Sequence, residues 1–445
     1  MRKAYKEYKA TGIQWLPKIP KHWEYKKINS LFLERKTKVS DKDYQPLSVT
    51  KSGVLHQLTD AAKSNDSDNR KLVLTGDFVI NSRSDRKGSC GVSALDGSVS
   101  LINIVLEPKR KLEQLFVHYL LRCQPFSEEY YRCGRGIVAD LWTTRYSEMK
   151  SIYLPISPRE EQEHIARFLD WKVSSINRLI NLKQLEITQL KELKKATISD
   201  AVTHGLGKTV PMKDSGITWI GKIPRHWKIE KLKRVSKIRK QKSYYNKNKD
   251  IFISLENLKG YSNTLQETST QYESSIQCVC KKADLLFGKL RPYLSKAIIC
   301  PKDCFCTNEL LVVSFFNGNI KFLMYVFLHE SFIDSVNAST YGAKMPRAND
   351  QYILNMCIPV PPREEQEQIA HFLDVRCAEI DRLIDTNQAQ ITNLHDLKSS
   401  LIADVVTGQI DVRDVEIPDY EQVEETLDDT DTKDLFDNEE EVAEG

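Results

Sequence analysis

The chain has 445 residues, of which 40% are hydrophobic, so it is long enough for two or three domains with buried cores. It contains no run of about 18 apolar residues, which excludes a membrane-spanning helix, and MRKAYKEYKATG at its start lacks the apolar stretch of a signal peptide, so we expect a soluble, cytoplasmic protein. Its net charge of +4 combines a basic body, residues 1–410 at +18, with an acidic end, residues 411–445 at −14, and a basic body favours a polyanionic partner such as nucleic acid.

The first motif in the chain is rich in tryptophan. GIQWLPKIPKHW begins at Gly12 and returns as GITWIGKIPRHW from Gly216, with eight of twelve positions identical. Tryptophan is a large apolar anchor with one N–H to satisfy, so we expect these side chains in the cores of two domains. Each histidine stands beside a tryptophan without a carboxylate or cysteine at ligand spacing, which favours a packing role over a metal ligand. The residues concerned are Trp15, His22, Trp23, Trp219, His226 and Trp227.

Residues 1–157 are predicted to form a mixed α/β domain, because the strand-like runs KLVLTGDFVI, VSLINIVLEP and SIYLPI alternate with turns and with the helical run LEQLFVHYLLRC. Basic side chains in its turn-rich segments are candidate DNA contacts, since Arg and Lys bond guanine edges or neutralise phosphates. The alternative for any single one of these residues is an ordinary solvated surface charge that does not contact DNA. The candidates here are Lys51, Arg83, Arg86, Lys87 and Arg135.

A second repeated motif opens each of two long predicted helices. PREEQEHIARFLD begins at Pro158 and PREEQEQIAHFLD at Pro362, with eleven of thirteen positions identical. This motif and the tryptophan motif recur at the same offset of 204 residues, from 158 to 362 and from 12 to 216, so the chain is a tandem duplication. Proline precedes each helix, glutamates fill its first turns and glycine follows it, which predicts helical segments at residues 158–206 and 362–410.

The apolar residues of these helices follow alternating steps of three and four, the spacing of a coiled-coil seam, with polar residues at matching positions. Because the two seams share one register, we predict that the helices pack on each other as an antiparallel coiled coil; packing of each helix on a separate core is the alternative. About 30 residues would make a rod of roughly 45 Å, near one DNA turn of about 34–36 Å, so the rod would act as a ruler between two DNA-facing domains. The seam comprises Ile176, Ile180, Lys183, Ile187, Leu190, Ile380, Ile384, Asn387, Ile391 and Leu394.

Residues 207–361 are predicted to form a second mixed α/β domain, with strand-like runs such as KADLLFG and ELLVVSFF and the helical run IKFLMYVFLHESF. Between the shared motifs the two halves differ in sequence, which suits one scaffold that presents two different surfaces. The candidate DNA contacts of this domain include tyrosines, which can bond phosphate. They are Lys240, Lys242, Tyr244, Lys259, Lys289, Arg291, Tyr293, Lys344 and Arg347.

Five cysteines of the second domain lie close together in the sequence. One pair has zinc-like spacing, but no second C-x₂-C or H-x₃-H pair lies nearby, so we predict reduced, partly buried thiols and no metal site. These residues are Cys278, Cys280, Cys300, Cys304 and Cys306.

These motifs resemble the specificity subunit of type I restriction-modification enzymes. The resemblance rests on G-I-x-W-x-x-K-I-P-x-H-W opening each half, P-R-E-E-Q-E-x-I-A-x-F-L-D opening each long helix, and the domain–helix–domain–helix order over about residues 1–410. It implies two target recognition domains with a pseudo-twofold relation, each reading one half of a bipartite, asymmetric site in double-stranded DNA. The acidic tail, residues 411–445, lies beyond the family pattern and is predicted to be disordered.

The same resemblance implies which molecules work with this chain. The long helices would be the family's spacer regions and would bind two methylation subunits, which carry S-adenosylmethionine and methylate adenine. Motor-nuclease subunits, which use ATP and Mg²⁺, would complete the restriction complex. No cofactor and no catalytic residue is expected in this chain itself.

Two other classes of protein are alternatives. The first is a nuclease or methyltransferase, but the Asn/Asp-Pro-Pro-aromatic motif of adenine methyltransferases does not occur. GLGKT at Gly205 lacks the first glycine of a P-loop and follows a helix. The E-x-K of a metal-dependent nuclease is matched at Glu148, with Asp140 nearby, but so short a pattern arises easily by chance. The other alternative is a coiled-coil adaptor without DNA readout, against which the basic body and the two dissimilar domains count. We therefore predict a noncatalytic DNA-specificity subunit.

Overall fold

The computed structural model describes residues 3–57, 68–83, 87–136, 142–207, 209–268, 272–340, 342 and 345–426. The chain divides into two compact units: unit 1 combines residues 1–183 with 389–445, and unit 2 comprises residues 184–388. Each unit holds one mixed α/β domain and one half of each long helix, so the boundaries between the units fall within the helices. No helix in the described part of the chain is long and apolar enough to cross a membrane.

The first half of the chain carries a domain of short strands followed by a long helix. Its strands are β1 (Tyr8–Ile13), β2 (Leu16–Pro20), β3 (Glu24–Lys27), β4 (Phe32–Glu34), β5 (Lys38–Val39), β6 (Leu47–Thr50), β7 (Gly53–His56), β8 (Arg70–Val73), β9 (Phe78–Asn81), β10 (Cys90–Val92), β11 (Gly97–Val99), β12 (Asn103–Pro108) and β13 (Tyr153–Ile156). Its helices are α1 (Ile28–Leu31), α2 (Gln114–Leu120), α3 (Gln124–Arg132), α4 (Tyr146–Met149) and α5 (Arg159–His204).

The second half follows the same general order. Its strands are β14 (Met212–Asp214), β15 (Lys222–Pro224), β16 (Lys228–Lys231), β17 (Ser236–Ile238), β18 (Lys242–Tyr245), β19 (Phe252–Ile253), β20 (Ser275–Cys280), β21 (Leu285–Gly288), β22 (Ala297–Ile299), β23 (Cys304–Cys306), β24 (Leu310–Phe316) and β25 (Cys357–Val360). Its helices are α6 (Leu232–Val235), α7 (Ile320–Phe327), α8 (Glu330–Ala338), α9 (Asp350–Asn355) and α10 (Arg363–Val406), with 3₁₀ turns at Leu255–Asn257 and Pro292–Leu294.

A four-stranded antiparallel sheet recurs in both units although the sequences differ. Its strand order is β10-β9-β12-β4 in unit 1 and β22-β21-β24-β17 in unit 2. The strands β9 (FVIN) and β21 (LLFG) lie inside these sheets and are buried at every position. Successive side chains of a strand point to opposite faces, so a strand covered on both faces requires a continuous apolar run.

Alternate side chains of this buried strand enter two different cores. In unit 1, Phe78 joins the main core, while Val79 joins a smaller cluster with residues of the sheet β11-β8-β5. In unit 2, Leu285 joins the main core, while Leu286 joins a smaller core with residues of the sheet β18-β20-β23-β19. The mixed α/β fold class predicted from the sequence is confirmed.

One buried ion pair marks the same point in both sheets. The Arg35 guanidinium donates to both Asp77 carboxylate oxygens at 2.8 and 3.1 Å, and Arg239 donates to Asp284 at 2.7 and 3.0 Å. Each carboxylate also accepts a backbone N–H three residues earlier, and the two aspartates are only 2% and 3% exposed. A bidentate pair with further hydrogen bonds satisfies a buried carboxylate. The duplication therefore extends into segments whose sequences look unrelated.

The two long helices begin and end at equivalent residues. Prolines 158 and 362 precede them, because proline tolerates a position that lacks an intrahelical N–H bond. Gly205 and Gly408 follow them with φ of +73° each, the left-handed conformation that commonly ends a helix.

Within each unit, the two helix halves run antiparallel. In unit 1, Lys398 Nζ donates to Asn177 Oδ1 at 3.1 Å, and His164 Nε2 lies 2.9 Å from the Val412 carbonyl just beyond α10. In unit 2, Lys194 Nζ donates to both carboxylate oxygens of Asp381 at 2.7 Å. Of the seam residues, Ile176, Ile180, Ile187, Ile380, Asn387 and Ile391 are buried, and Lys183, Leu190, Ile384 and Leu394 are half-buried.

The beginning of the acidic tail is folded against unit 1, which corrects the prediction of disorder for residues 411–426. Val412 is buried in the main core, and Val415 and Ile417 pack against it. Further on, the Tyr420 hydroxyl donates to Asp170 at 2.7 Å, and Asn177 Nδ2 donates to the Val423 carbonyl at 2.9 Å. Residues 427–445 lie outside the described part of the chain.

Candidate nucleic-acid interface and the clamp that positions it

The repeated tryptophan motif binds the repeated helix motif through one glutamate. In unit 1, the Trp23 indole N–H donates to Glu161 Oε1 at 3.1 Å, His22 Nε2 lies 2.8 Å from Oε2, and the Tyr5 hydroxyl donates to Oε1 at 2.6 Å. Trp23 and Glu161 are buried, and desolvation raises the pKa of Tyr5, so its hydroxyl stays protonated as a donor.

Unit 2 repeats this arrangement. Trp227 Nε1 donates to Glu365 Oε2 at 2.8 Å, and His226 Nε2 lies 2.6 Å from Oε1. The indole rings also cover the glycines that end the helices, since a side chain at Gly205 would approach Trp227 within 3.1 Å and one at Gly408 would approach Trp23 within 3.1 Å.

We define the His-Trp-Glu clamp as His22, Trp23 and Glu161 in unit 1 and His226, Trp227 and Glu365 in unit 2. The sequence favoured a packing role for the histidines over metal binding, and the structure adds a hydrogen-bonding role, because a carboxylate from a distant part of the chain faces each of them. Each clamp joins a domain to the start of one long helix and, through the glycine, to the end of the other. The clamp therefore fixes the orientation of each domain on its pair of helix halves.

The unit 1 candidates Arg83, Lys87 and Arg135 lie around one segment. Thr143 forms β-bridges with both Arg83 and Arg135, and the Arg135–Thr143 backbone hydrogen bonds measure 2.8 and 3.0 Å. Lys87 is exposed, with its ammonium 5.3 Å from the centre of the Tyr131 ring. Arg135 is exposed and Arg83 half-buried, so these cationic side chains border the loop that follows β9.

Lys51 lies in the turn between β6 and β7 beside an arginine that the sequence did not single out. Arg122 donates to the Lys51 carbonyl and lies 2.6 Å from His118 Nε2. Burial, together with the Arg122 charge, lowers the pKa of His118 to about 3, so this imidazole is neutral and accepts the hydrogen bond. Arg122 is thus oriented by its neighbours at the edge of the domain.

Unit 2 has a bridge at the equivalent place, but with different residues. Leu290 pairs with Arg347, and residue 347 lies 204 positions after Thr143. Both bridges connect the loop after the buried strand with the segment before a short helix, α4 in unit 1 and α9 in unit 2. In unit 1 the loop residue of the bridge is Arg83 and its partner is Thr143. In unit 2 the loop residue is Leu290, and the arginine, Arg347, lies on the partner segment.

The loop after β21 carries two further candidates. Arg291 is exposed and adopts a left-handed conformation with φ of 51°, and its N–H donates to the Pro346 carbonyl at 2.8 Å. Tyr293 is half exposed. A non-glycine residue held in this conformation is strained, and such strain is often found at functional sites.

The edge strand β18 carries Lys242 and Tyr244 on one face. Lys242 pairs with Cys278 of β20, and Tyr244 pairs with Ile276. Tyr244 and Ile276 are 62% and 67% exposed, so a tyrosine and an aliphatic side chain lie side by side on the surface. Such a pair offers an apolar surface to a base or its methyl group next to the Lys242 charge.

Some candidates are placed elsewhere. Lys289 does not lie on the surface as predicted, because it is buried and pairs with Asp350 at 2.9 Å. Lys259 is exposed but lies 3.8 Å from Asp385 of α10, towards the helices. Lys240 is exposed between β17 and β18. Arg86 and Lys344 lie outside the described residues.

The residues considered for an enzyme have structural contacts here. Glu148 Oε2 accepts the Arg145 N–H at 2.9 Å and thereby caps α4, while Asp140 lies outside the described residues. Gly205 ends α5 beneath Trp227. Among the residues that the structure describes, no group of three or more His, Cys, Asp or Glu side chains is arranged to hold a metal ion.

Comparison with known proteins gives consistent matches. A family profile described as the type I restriction modification DNA specificity domain matches residues 224–393. The chain is 25% identical over 337 residues to the type I restriction enzyme MjaVIII specificity subunit of Methanocaldococcus jannaschii, spanning 72% of this chain and 76% of that protein. It is 23% identical over 380 residues to a putative MjaX specificity subunit of the same organism, spanning 82% and 85%.

A solved structure shows the same fold. A chain from work on complex assembly and conformational transition of the type I R-M system aligns with a TM-score of 0.67 and 15% identity, covering 88% of this chain and 99% of that one.

Proposed function

We propose that each of the two mixed α/β domains reads one half of a bipartite DNA site. The premise is that this chain belongs to the noncatalytic specificity subunits of type I restriction-modification systems. The main support for this proposal is that the two units repeat the same structural elements but differ in the residues on their surfaces. The clamp, the buried Arg–Asp pair and the four-stranded sheet recur, while the bridge after the buried strand is Arg83–Thr143 in one unit and Leu290–Arg347 in the other.

The chemistry of these surfaces suits duplex DNA. Arginine can bond guanine O6 and N7 together, lysine neutralises phosphate, and the exposed Tyr244 and Ile276 can contact apolar base atoms. The first surface comprises Lys51, Arg83, Lys87, Arg122 and Arg135, and the second comprises Lys242, Tyr244, Arg291, Tyr293 and Arg347. Because their residues differ, the two surfaces would prefer different sequences, so the complete site would be asymmetric.

Exposed leucines on the helices support binding of two equivalent partners. Leu179 and Leu383 are each 50% exposed, and Leu193 and Leu397 are 48% and 46% exposed. Both pairs are related by the 204-residue offset and lie outside the buried seam. Leucines exposed at matched positions would offer equivalent apolar contacts to two copies of one partner. We propose that one methylation subunit binds at each, so that two copies flank the DNA.

The cofactors follow from these partners. S-adenosylmethionine would be held by the methylation subunits, and ATP and Mg²⁺ by motor-nuclease subunits where these join the complex. This chain would contribute sequence recognition, and the continuous length of α5 and α10 would set the number of base pairs between the half-sites.

The test is co-expression of the full chain with its methylation subunit in a host without other adenine methylation, followed by single-molecule sequencing of host DNA. The proposal predicts methyladenine at one split, non-palindromic motif that appears only when this chain is present. Methyladenine at the same positions whether or not this chain is expressed, although the chain forms a stable complex with the methylation subunit, would contradict DNA reading and would favour the adaptor alternative.

A further inference from the structure

A cluster of cysteines connects two strands of unit 2. Strands β20 and β23 are antiparallel, with Cys278 opposite Cys306 and Cys280 opposite Cys304. Residues two apart on a strand share a face, so these four thiols lie on one face of the sheet. The fifth member, Cys300, has its sulfur 3.3 Å from that of Cys304. The cysteines therefore form a continuous thiol group that extends from the core towards the surface.

One cysteine of the cluster is accessible. Cys280, Cys300, Cys304 and Cys306 are buried, whereas Cys278 is half-buried. Cys278 pairs with the exposed Lys242 on its other side, so the row Lys242–Cys278–Cys306 crosses three strands from the edge of the sheet inward. An oxidant from solvent would therefore reach Cys278 before the rest.

Charge and burial distinguish the two thiols of this row. The Cys306 thiol beside it, and the ammonium groups of Lys242 and Lys289, lower the pKa of Cys278 to about 7 despite partial burial. Hydrogen bonding to Cys278, together with burial, raises the pKa of Cys306. The protonated Cys278 thiol donates to Asn308 Oδ1 at 3.2 Å. Because its pKa is lowered while that of Cys306 is raised, Cys278 is the thiol of this row that ionises first and is the more nucleophilic at neutral pH.

We propose that Cys278 and Cys306 form a peroxide-sensitive pair that closes reversibly to a disulfide. Residues directly opposite in an antiparallel pair have Cα atoms about 4.5–5.5 Å apart, within the range of about 4.4–6.8 Å that disulfides span. The register of β20 and β23 therefore allows this bond to form without separating the strands. Cytoplasmic thiols reduce such bonds, so the disulfide would be transient and would act as a modification of the surface next to Lys242.

The chemistry balances with a hydroperoxide as the oxidant. The Cys278 thiolate attacks one peroxide oxygen, the S–O bond forms and the O–O bond breaks, and the departing hydroxide takes a proton to become water. The Cys306 sulfur then attacks the Cys278 sulfenic acid, the S–S bond forms and the S–O bond breaks. The second hydroxide leaves with the Cys306 proton, so two thiols are oxidised by two electrons and hydrogen peroxide is reduced to two waters.

The test treats the full, reduced chain with one equivalent of hydrogen peroxide, blocks the remaining thiols, and maps the cross-link by non-reducing peptide mass spectrometry. The expected result is loss of two thiols and a Cys278–Cys306 cross-link that dithiothreitol reverses. Before oxidation, iodoacetamide at pH 7 should label Cys278 about fivefold faster than the half-buried Cys133, because greater ionisation outweighs the lower nucleophilicity of a more acidic thiolate.

Variants separate this proposal from other outcomes. Cys278→Ser and Cys306→Ser should each abolish the cross-link, whereas Cys357→Ser, a half-buried cysteine of the same unit, should leave it unchanged. A Cys300–Cys304 cross-link that forms at the same rate in Cys278→Ser would overturn the proposal. A stoichiometric metal ion in the purified chain that Cys278→Ser loses would also overturn it, since the thiols would then be metal ligands.

Discussion

Glu161 shows how a single side chain connects two motifs that are far apart in sequence. It accepts hydrogen bonds from Trp23 and Tyr5 and faces His22, and Glu365 repeats the contact with Trp227 in unit 2. The sequence showed that both motifs recur at one offset, but not that they touch, because a pairing across 138 residues leaves no local pattern. The shared offset was the signal from which a contact could have been inferred.

Replacing Glu161 with alanine should lower the free energy of unfolding by about 3 kcal/mol, because a buried indole N–H and a buried hydroxyl lose their acceptor. Urea unfolding of the full chain measures this loss. Glu160→Ala removes an exposed carboxylate one residue earlier in the same helix and should change the free energy by less than about 0.5 kcal/mol. Equal effects of the two substitutions would show that the clamp does not stabilise the fold.

Arg291 is the residue that most directly tests the proposed second reading surface. Arg291→Ala should weaken binding of the complex to its site by about 1–3 kcal/mol, a fall of about 5- to 150-fold, because one base or phosphate contact is lost. Competition binding at fixed salt measures the loss. Lys282→Ala, another exposed cation of the same unit, is the matched control and should have little effect. The same loss in both variants would indicate general electrostatic attraction in place of a specific contact.

At the scale of elements, periodicity indicated the long helices well, because a helix of about 45 residues repeats its apolar pattern many times. The shared four-stranded sheet was not predictable, since its strands are three to seven residues long and pair across distant segments. The prediction of a disordered tail was wrong over residues 411–426, because an acidic overall composition does not show where single apolar residues stand in the segment. Val412, Val415 and Ile417 lie among acidic residues, yet their packing on unit 1 is enough to order the segment.

The exposed leucines of the helices give the element-scale prediction. Leu179→Glu with Leu383→Glu should reduce binding of the methylation subunit at least tenfold, because two charges would enter apolar contacts, while helix content stays unchanged. Analytical ultracentrifugation of the complex measures the stoichiometry. Thr188→Glu with Thr392→Glu adds the same charges at exposed positions half a turn away around the helix and serves as control. Full assembly of the leucine variant would place the docking site elsewhere.

At the scale of the whole molecule, duplication explains why the shared structural elements could be predicted from the sequence, whereas the proposed DNA-reading surfaces could not. Repeated residues identify shared structural positions, such as the clamp and the helix ends. Under the proposed function, the residues that contact DNA would differ between the halves, so repetition does not reveal them, and single basic residues resemble ordinary surface charge. Lys289 illustrates this, since it looks like a contact in the sequence and is buried beside Asp350.

The length of α5 and α10 can be changed to test whether these helices set the spacer between the half-sites. Insertion of four residues after Thr188 and after Thr392 adds about 6 Å to each helix, which corresponds to one or two base pairs at about 3.4 Å each. Sequencing of methylated host DNA should therefore show the same half-sites separated by a spacer about one or two base pairs longer. An unchanged spacer would refute the role of the helices as a ruler.

Under the proposed function, each half of the chain reads its own half-site, and both halves share the same clamp, sheet and helix ends. A chimaera in which residues 12–157 replace residues 216–361, so that both joints fall at equivalent positions of the repeat, tests this, with the methylated adenines mapped in the presence of the methylation subunit. The expected result is methylation at a palindromic site made of two inverted copies of one original half-site. Methylation of the original asymmetric site by this variant would refute half-site reading by separate domains.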